Sequence, residues 1–355
     1  MQFLSITANE YPQAAPLQGL ATMSTYFFTA ALCMVAVMTL IYLWYTIGTA
    51  RLAKRLAQER TRNQSRKTAG KGSKTANVAG SVATLLRSDV VLHEQPDGEA
   101  PIALNPSLIA VGRIGTAVGW ITVFMLFMSQ LFRAIVTQHA PWSNLYEFSL
   151  SFTTALLLCY LVFEVRFHER VRVWGIYVCI LSLVTLGIAI YLGATYDLIN
   201  GSTQLIPALQ DKPILAIHVS MAIFAYALFS VSFGAGLIIL LQGGEGQRFA
   251  WLPSAEAADE LGYKAVIIGF PLLALTLILG AYWANYAWGH YWSWDPKETS
   301  ALITWLIYAI YLHARGIRGW RGKKAGWLLT LGFAATLFTY YGVSFFVPSL
   351  HSYAK

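Results

Sequence analysis

Apolar residues in this chain fall in long unbroken runs, with charged and polar residues confined to the stretches between them. A helix needs about 20 consecutive apolar residues to cross the hydrocarbon core of a bilayer. Eight runs meet that length, near 24–48, 108–136, 145–165, 173–193, 214–241, 264–284, 298–314 and 326–347. The pattern predicts an all-α integral membrane protein of about eight transmembrane helices. The seventh run is the shortest, and the second is long enough to tilt or to project from the bilayer. The first 23 residues lack a basic segment leading into a short apolar one, so no cleavable signal peptide is expected ahead of the first span.

Composition agrees, with 56% hydrophobic and only 12% charged residues, against about 25% charged in soluble domains. The formal charge of +8 would suggest a nucleic-acid partner if the basic residues coated a soluble surface. Instead they alternate with the spans. Of the 25 Lys and Arg, 21 fall on one set of alternate loops, leaving Arg133, Lys212, Lys297 and Lys355 on the other. Basic loops stay in the cytoplasm, which argues against nucleic acid and places both termini and the 282–299 loop outside. Three segments follow: 1–50, an external stretch with the first transmembrane helix; 51–107, basic, polar and predicted to be a disordered cytoplasmic tether; and 108–355, the main membrane domain. The Lys and Arg of 51–107 lie where they can meet anionic membrane lipid.

Cys33, Cys159 and Cys179 each sit inside an apolar run, and no C-x-x-C is present. The chain is therefore neither a thiol exchanger nor itself a c-type cytochrome. The three cysteines read as small apolar residues.

The loop between the sixth and seventh spans is the most unusual part of the chain. Seven of the 17 residues from Tyr282 to Glu298 are Trp or Tyr. An interfacial belt usually supplies one or two aromatics per helix end, so this density suits a flat apolar platform for a large planar ligand. Asp295-Pro296-Lys297-Glu298 also reads as a capping box with Pro at the first helical position, and Asn144-x-x-Glu147 reads as the same device at the third span. Among the seven histidines, His93 and His168 read as solvated cytoplasmic residues. His218 and His351 map to the same external face as the aromatic loop. Two imidazoles above an aromatic platform are what bis-axial haem ligation requires, whereas zinc wants three or four clustered ligands.

These residues carry a resemblance. Trp288-Gly289-x-Tyr291-Trp292-x-Trp294-Asp295-Pro296-Lys297-Glu298-Thr299 is similar to the tryptophan-rich "WWD" signature of haem-handling membrane proteins. Tyr311-Leu312-His313-Ala314-Arg315, Pro348-Ser349-Leu350-His351 and Pro141-Trp142-Ser143-Asn144-Leu145-Tyr146-Glu147 resemble the CcsA/ResC family, the membrane half of the system II cytochrome c synthetase. The resemblance runs from about residue 105 onward.

It implies that His218 and His351 ligate haem iron over a surface containing Trp288, Trp292, Trp294 and Asp295. It further implies that His313 holds haem nearer the cytoplasmic side, paired with a histidine of a CcsB/ResB-type membrane partner. Haem b would be bound as cargo, carried outward, and presented for thioether attachment to the C-x-x-C-H of an apocytochrome c. The chain would be one subunit of a synthetase, inactive without its partner, in a plasma or thylakoid-type membrane. The competing classes are a b-type cytochrome subunit, disfavoured because His313 has no partner at its depth in this chain, and a solute transporter, disfavoured because no repeated halves appear.

Overall fold

In a computed structural model of the chain, residues 15–69, 104–167, 169–196 and 213–351 are described. His93, His168, Lys212, both predicted external termini and the greater part of the predicted cytoplasmic tether lie outside these residues. The described chain is all-helical, with eight helices long and apolar enough to cross a membrane. They are α1 (Ala15–Ala69), α2 (Pro106–Thr137), α3 (Leu145–Phe167), α4 (Gly175–Thr195), α5 (Pro213–Leu241), α6 (Ala255–Trp288), α7 (Pro296–Arg318) and α8 (Lys323–Leu337). The last continues through a π-helical turn, Phe338–Gly342, into Val343–Phe346.

All eight predicted spans are present, but two helices outrun their apolar cores. α1 continues unbroken to Ala69, so residues 51–69 are helical where an irregular tether was predicted. The physical reason is visible in the residues: Ala, Leu, Arg, Lys, Glu and Gln dominate this stretch, without Pro or Gly, and all favour helix. α6 gains a polar first turn from Ser254, whose side chain accepts the Ala257 N–H at 3.2 Å.

α3 and α5 form the centre of the bundle. α5 packs along α6 and α8, α3 packs on α4 and α5, and α1 lies against α2 and α4. Aromatic stacking ties the centre together: Phe229 on Tyr308 at 3.7 Å and Phe148 on Tyr340 at 4.2 Å between ring centroids.

Three ion pairs carry charge into the buried interior among the described residues, as the cost of an isolated ion there favours. Arg133 on α2 donates to Glu147 on α3 at 2.5 Å, with side chains 10% and 1% exposed. Near the other end of α3, Glu164 accepts from Arg172 at 2.9 Å, from Tyr42 of α1 at 2.5 Å and from Thr116 of α2. One carboxylate thus joins α1, α2 and α3. Arg315 of α7 binds Asp259 of α6 at 2.7 Å. Asn144 caps α3 as predicted, accepting the Glu147 N–H at 2.9 Å. The Glu147 carboxylate reaches one residue further back than a standard capping box, to the Ser143 N–H at 2.9 Å, because it also meets Arg133.

Candidate functional site

The aromatic segment is half helix and half loop. α6 carries Tyr282, Trp283, Tyr286 and Trp288 on its last two turns and ends at Gly289. That glycine adopts φ +81°, a left-handed cap for which Gly has no steric penalty, and its N–H returns to Asn285 at 3.0 Å. The loop proper is short, and Trp292 and Trp294 meet edge to face within it at 5.7 Å. Trp294 holds φ +59° although it is not glycine, and its side chain is 70% exposed.

α7 opens on the predicted capping box. Asp295 accepts the Lys297 N–H at 3.0 Å, while Glu298 accepts the Asp295 N–H at 3.2 Å. The Asp295 carboxylate, in a residue only 5% exposed, does more than cap. It also accepts the Leu350 N–H at 2.6 Å and bonds His351 Nδ1 at 2.9 Å. The helix start and the segment after α8 are therefore joined through one side chain.

His351 lies edge-on to Trp288, with centroids 5.0 Å apart, and within 6.3 Å of Trp283. Trp283 and Trp288 are themselves perpendicular at 4.8 Å. Burial pushes the Asp295 carboxyl up, but the hydrogen bonds from His351, Leu350 and Lys297 outweigh it and hold the group below its usual range. Burial pushes His351 below its ordinary value, and the pull of Asp295 in the other direction does not restore it. The pair at neutral pH is a carboxylate and a neutral imidazole. A carboxylate can only accept, so the proton sits on Nδ1 and the ring lone pair on Nε2.

His218, near the start of α5, repeats the arrangement with a different acceptor. Its Nδ1 donates to the Thr276 carbonyl on α6 at 2.8 Å, which again leaves the lone pair on Nε2. Gly280, one turn further along α6, makes room for the ring: a Cβ there would stand 2.7 Å from His218 Cε1. His351 and Lys297 are both close enough to act on His218 electrostatically. Both imidazoles are thus fixed by their Nδ1, and His351 lies beside Trp283 and Trp288. Nitrogen lone pairs held in this way are the form in which histidine binds metal.

Residues 142–351, well over half of the chain, match the family model described as cytochrome C assembly protein. The chain is 35% identical over 266 residues to the cytochrome c biogenesis protein CcsA of Chlamydomonas reinhardtii, covering 72% of each. With the protein of the same name from Trieres chinensis it shares 35% over 282 residues, 70% of this chain and 87% of the relative. The chain belongs to the CcsA family of cytochrome c assembly proteins. The corresponding figures for the CcsA protein of Prochlorococcus marinus (strain MIT 9515) are 36% over 248 residues, 63% of this chain and 78% of the relative. Among solved structures, cytochrome c heme lyase CcmF has a similar fold, with a TM-score of 0.52 at 16% identity. That likeness covers 95% of this chain and 49% of CcmF, so the chain spans about half the length of that structure.

Within this CcsA-family chain the predicted site residues fall into three groups. His351, Asp295 and Trp288 come together, and His218 lies within electrostatic reach of His351. Trp292 and Trp294 pair with each other in the adjoining loop, and the Trp292 indole N–H is enclosed without a hydrogen-bond partner among the described residues. His313 lies apart: it sits on α7 eighteen residues beyond Asp295, about 27 Å along the helix axis, and is exposed on the outer surface. Sequence reasoning left out Thr276, Gly280 and Trp283, and took Lys297 only as part of a cap. The Thr276 carbonyl and the Gly280 hydrogen atom carry no side-chain signal, whereas Trp283 was visible within the aromatic cluster.

Proposed function

We propose that this protein binds haem between His218 and His351 beside the tryptophan cluster and presents it for covalent attachment to apocytochrome c. The observation that carries the proposal is the shared geometry of the two imidazoles. Each is anchored through Nδ1 to a fixed acceptor on α6 or at the start of α7, which turns Nε2 into the metal-binding atom of both. Bis-imidazole ligation by neutral histidines gives six-coordinate, low-spin iron. Trp283 and Trp288 supply an apolar wall for the ring, and Trp292 and Trp294 lie in the loop through which a docking protein would approach. The thiols of a C-x-x-C-H segment then add across the haem vinyl groups, each sulfur bonding one vinyl carbon and the thiol hydrogen passing to the other. The chain's part is to hold the ring in place.

His313, exposed at the opposite end of α7, fits a first haem station completed by a histidine of a CcsB/ResB-type partner. In the orientation that the basic loops favour, that station lies on the cytoplasmic side and the tryptophan loop outside, in a plasma or thylakoid-type membrane. Absorption spectra of the purified protein, with and without its partner, test this reading. His218→Ala and His351→Ala each abolish the low-spin haem spectrum, and added imidazole restores it. Unchanged spectra in both variants would remove the ligand assignment.

A further inference from the structure

Lys297 lies within electrostatic reach of both histidines and of the Asp295 carboxylate, yet forms no ion pair among the described residues. Its Nζ donates to the Ser344 hydroxyl at 3.2 Å and lies 6.0 Å from the centre of the Tyr340 ring. No carboxylate comes within ion-pair distance of it among the described residues. The two acids nearest in sequence are engaged elsewhere. Asp295 takes the Leu350 N–H, the His351 imidazole and the backbone N–H of Lys297 itself. Glu298 Oε2 takes the Ser293 N–H and hydroxyl and the Asp295 N–H. The residue as a whole is half-buried, within electrostatic reach of His218 and His351.

An ammonium removed from bulk water normally has an anion beside it, because its lost hydration must be replaced. Three N–H donors with a single neutral acceptor leave room for an anionic group that arrives with a ligand. Resting on the haem site proposed above, we infer that Lys297 is the anchor for a propionate carboxylate of the bound ring, and so fixes which edge of the ring faces outward.

Haem is chemically lopsided: two propionates project from one edge, and the vinyl groups lie toward the other. Two axial nitrogens define the plane of the ring but leave it free to rotate about the axis joining them. A cation at one edge removes that freedom. With a propionate drawn to Lys297 beneath the α7 start, the vinyl edge turns toward the exposed Trp294 loop, where thiols arrive. Lys297 is accordingly a positioning residue. The partners of its ammonium, Ser344 and Tyr340, come from the π-helical turn of α8 and the turn after it.

The test compares haem with its propionate dimethyl ester, titrated spectroscopically into the full-length protein in detergent. The wild type is expected to prefer the diacid by about tenfold or more, as a charge-assisted hydrogen bond implies. In Lys297→Met the diacid binds that much more weakly while the ester binds as before, so the preference disappears. Lys297→Arg keeps it. A low-spin spectrum in every protein marks intact histidine ligation and an intact fold, so that loss of preference reports the anchor alone. A Lys297→Met protein that retains the wild-type preference overturns the inference and leaves the histidine site standing. A wild type that forms a low-spin complex with neither ligand overturns the inference together with the site on which it rests.

Discussion

Asp295 and His351, 56 positions apart in sequence, are joined by a 2.9 Å hydrogen bond through the imidazole Nδ1. The same carboxylate starts α7 by accepting the Lys297 N–H. A side chain that caps a helix is held to the backbone, and here that rigidity passes directly to a histidine.

The two duties of Asp295 separate by substitution. Asparagine remains a good N-cap but carries no charge, whereas alanine loses both functions. Asp295→Asn therefore leaves thermal stability near the wild-type value and weakens haem binding about 10–100-fold, the usual effect of removing a ligand's outer hydrogen-bond partner. Asp295→Ala adds a loss of about 0.5–2 kcal/mol in stability. Spectroscopic titration and thermal unfolding check the two effects, and undiminished haem affinity in Asp295→Asn would contradict the anchoring role.

Gly280→Ala places a Cβ 2.7 Å from His218 Cε1 and 3.0 Å from its Nδ1. The ring must leave the Thr276 carbonyl to accommodate it. The expected result is five-coordinate, high-spin haem instead of the six-coordinate form, visible by absorption and resonance Raman spectroscopy. Gly187→Ala is the control, since a Cβ there meets nothing within 4 Å. It leaves the spectrum unchanged.

The Asp295–His351 pair also sets a pH dependence. Because His351 is held below its ordinary value of 6.5, the folded protein binds this proton less readily than the unfolded chain. Its contribution to stability is complete above 6.5 and declines as pH falls below that value. Asp295, also lowered, contributes above the usual carboxylate range, and that contribution is lost as pH falls through it. As pH falls, haem affinity should begin to drop only below 6.5, once His351 protonates. A decline already under way at pH 7.5 would show that the imidazole is not depressed.

Arg133→Met leaves the Glu147 carboxylate buried and short of its main cation. Removing one partner of such a pair costs about 3–5 kcal/mol. Glu147 keeps the Ser143 N–H and hydroxyl as donors, so the double variant Arg133→Met/Glu147→Gln recovers much of the loss. Thermal denaturation in detergent, compared across the wild type, Arg133→Met, Glu147→Gln and the double variant, measures the coupling.

What the sequence disclosed depended on whether a signal was local. Span length, the Pro296 and Asp295 cap and the density of Trp and Tyr are properties of consecutive residues, and each is present in the structure. The anchors of the two histidines are not local. His218 meets Thr276 58 positions away, through a backbone carbonyl that every residue possesses. Reading Asp295 as a cap was correct but incomplete, because a carboxylate has more acceptor sites than a cap consumes. The π-helical turn at Phe338–Gly342 likewise follows from packing rather than from any residue pattern.

The unbroken length of α1 bears on the lipid contact expected for the basic stretch. From Arg51 to Ala69 the helix rises about 27 Å, nearly the thickness of the hydrocarbon core itself. A rigid rod that leaves the bilayer end-on carries its later charges away from the headgroups instead of laying them down on the surface. In a helix that leaves the bilayer end-on at Arg51, Arg62 and Arg66 would stand about 17 and 23 Å further along the axis, beyond the roughly 8 Å over which surface charge is felt at physiological salt. The outer turns of α1 would then be a boom, reaching into water instead of lying on lipid.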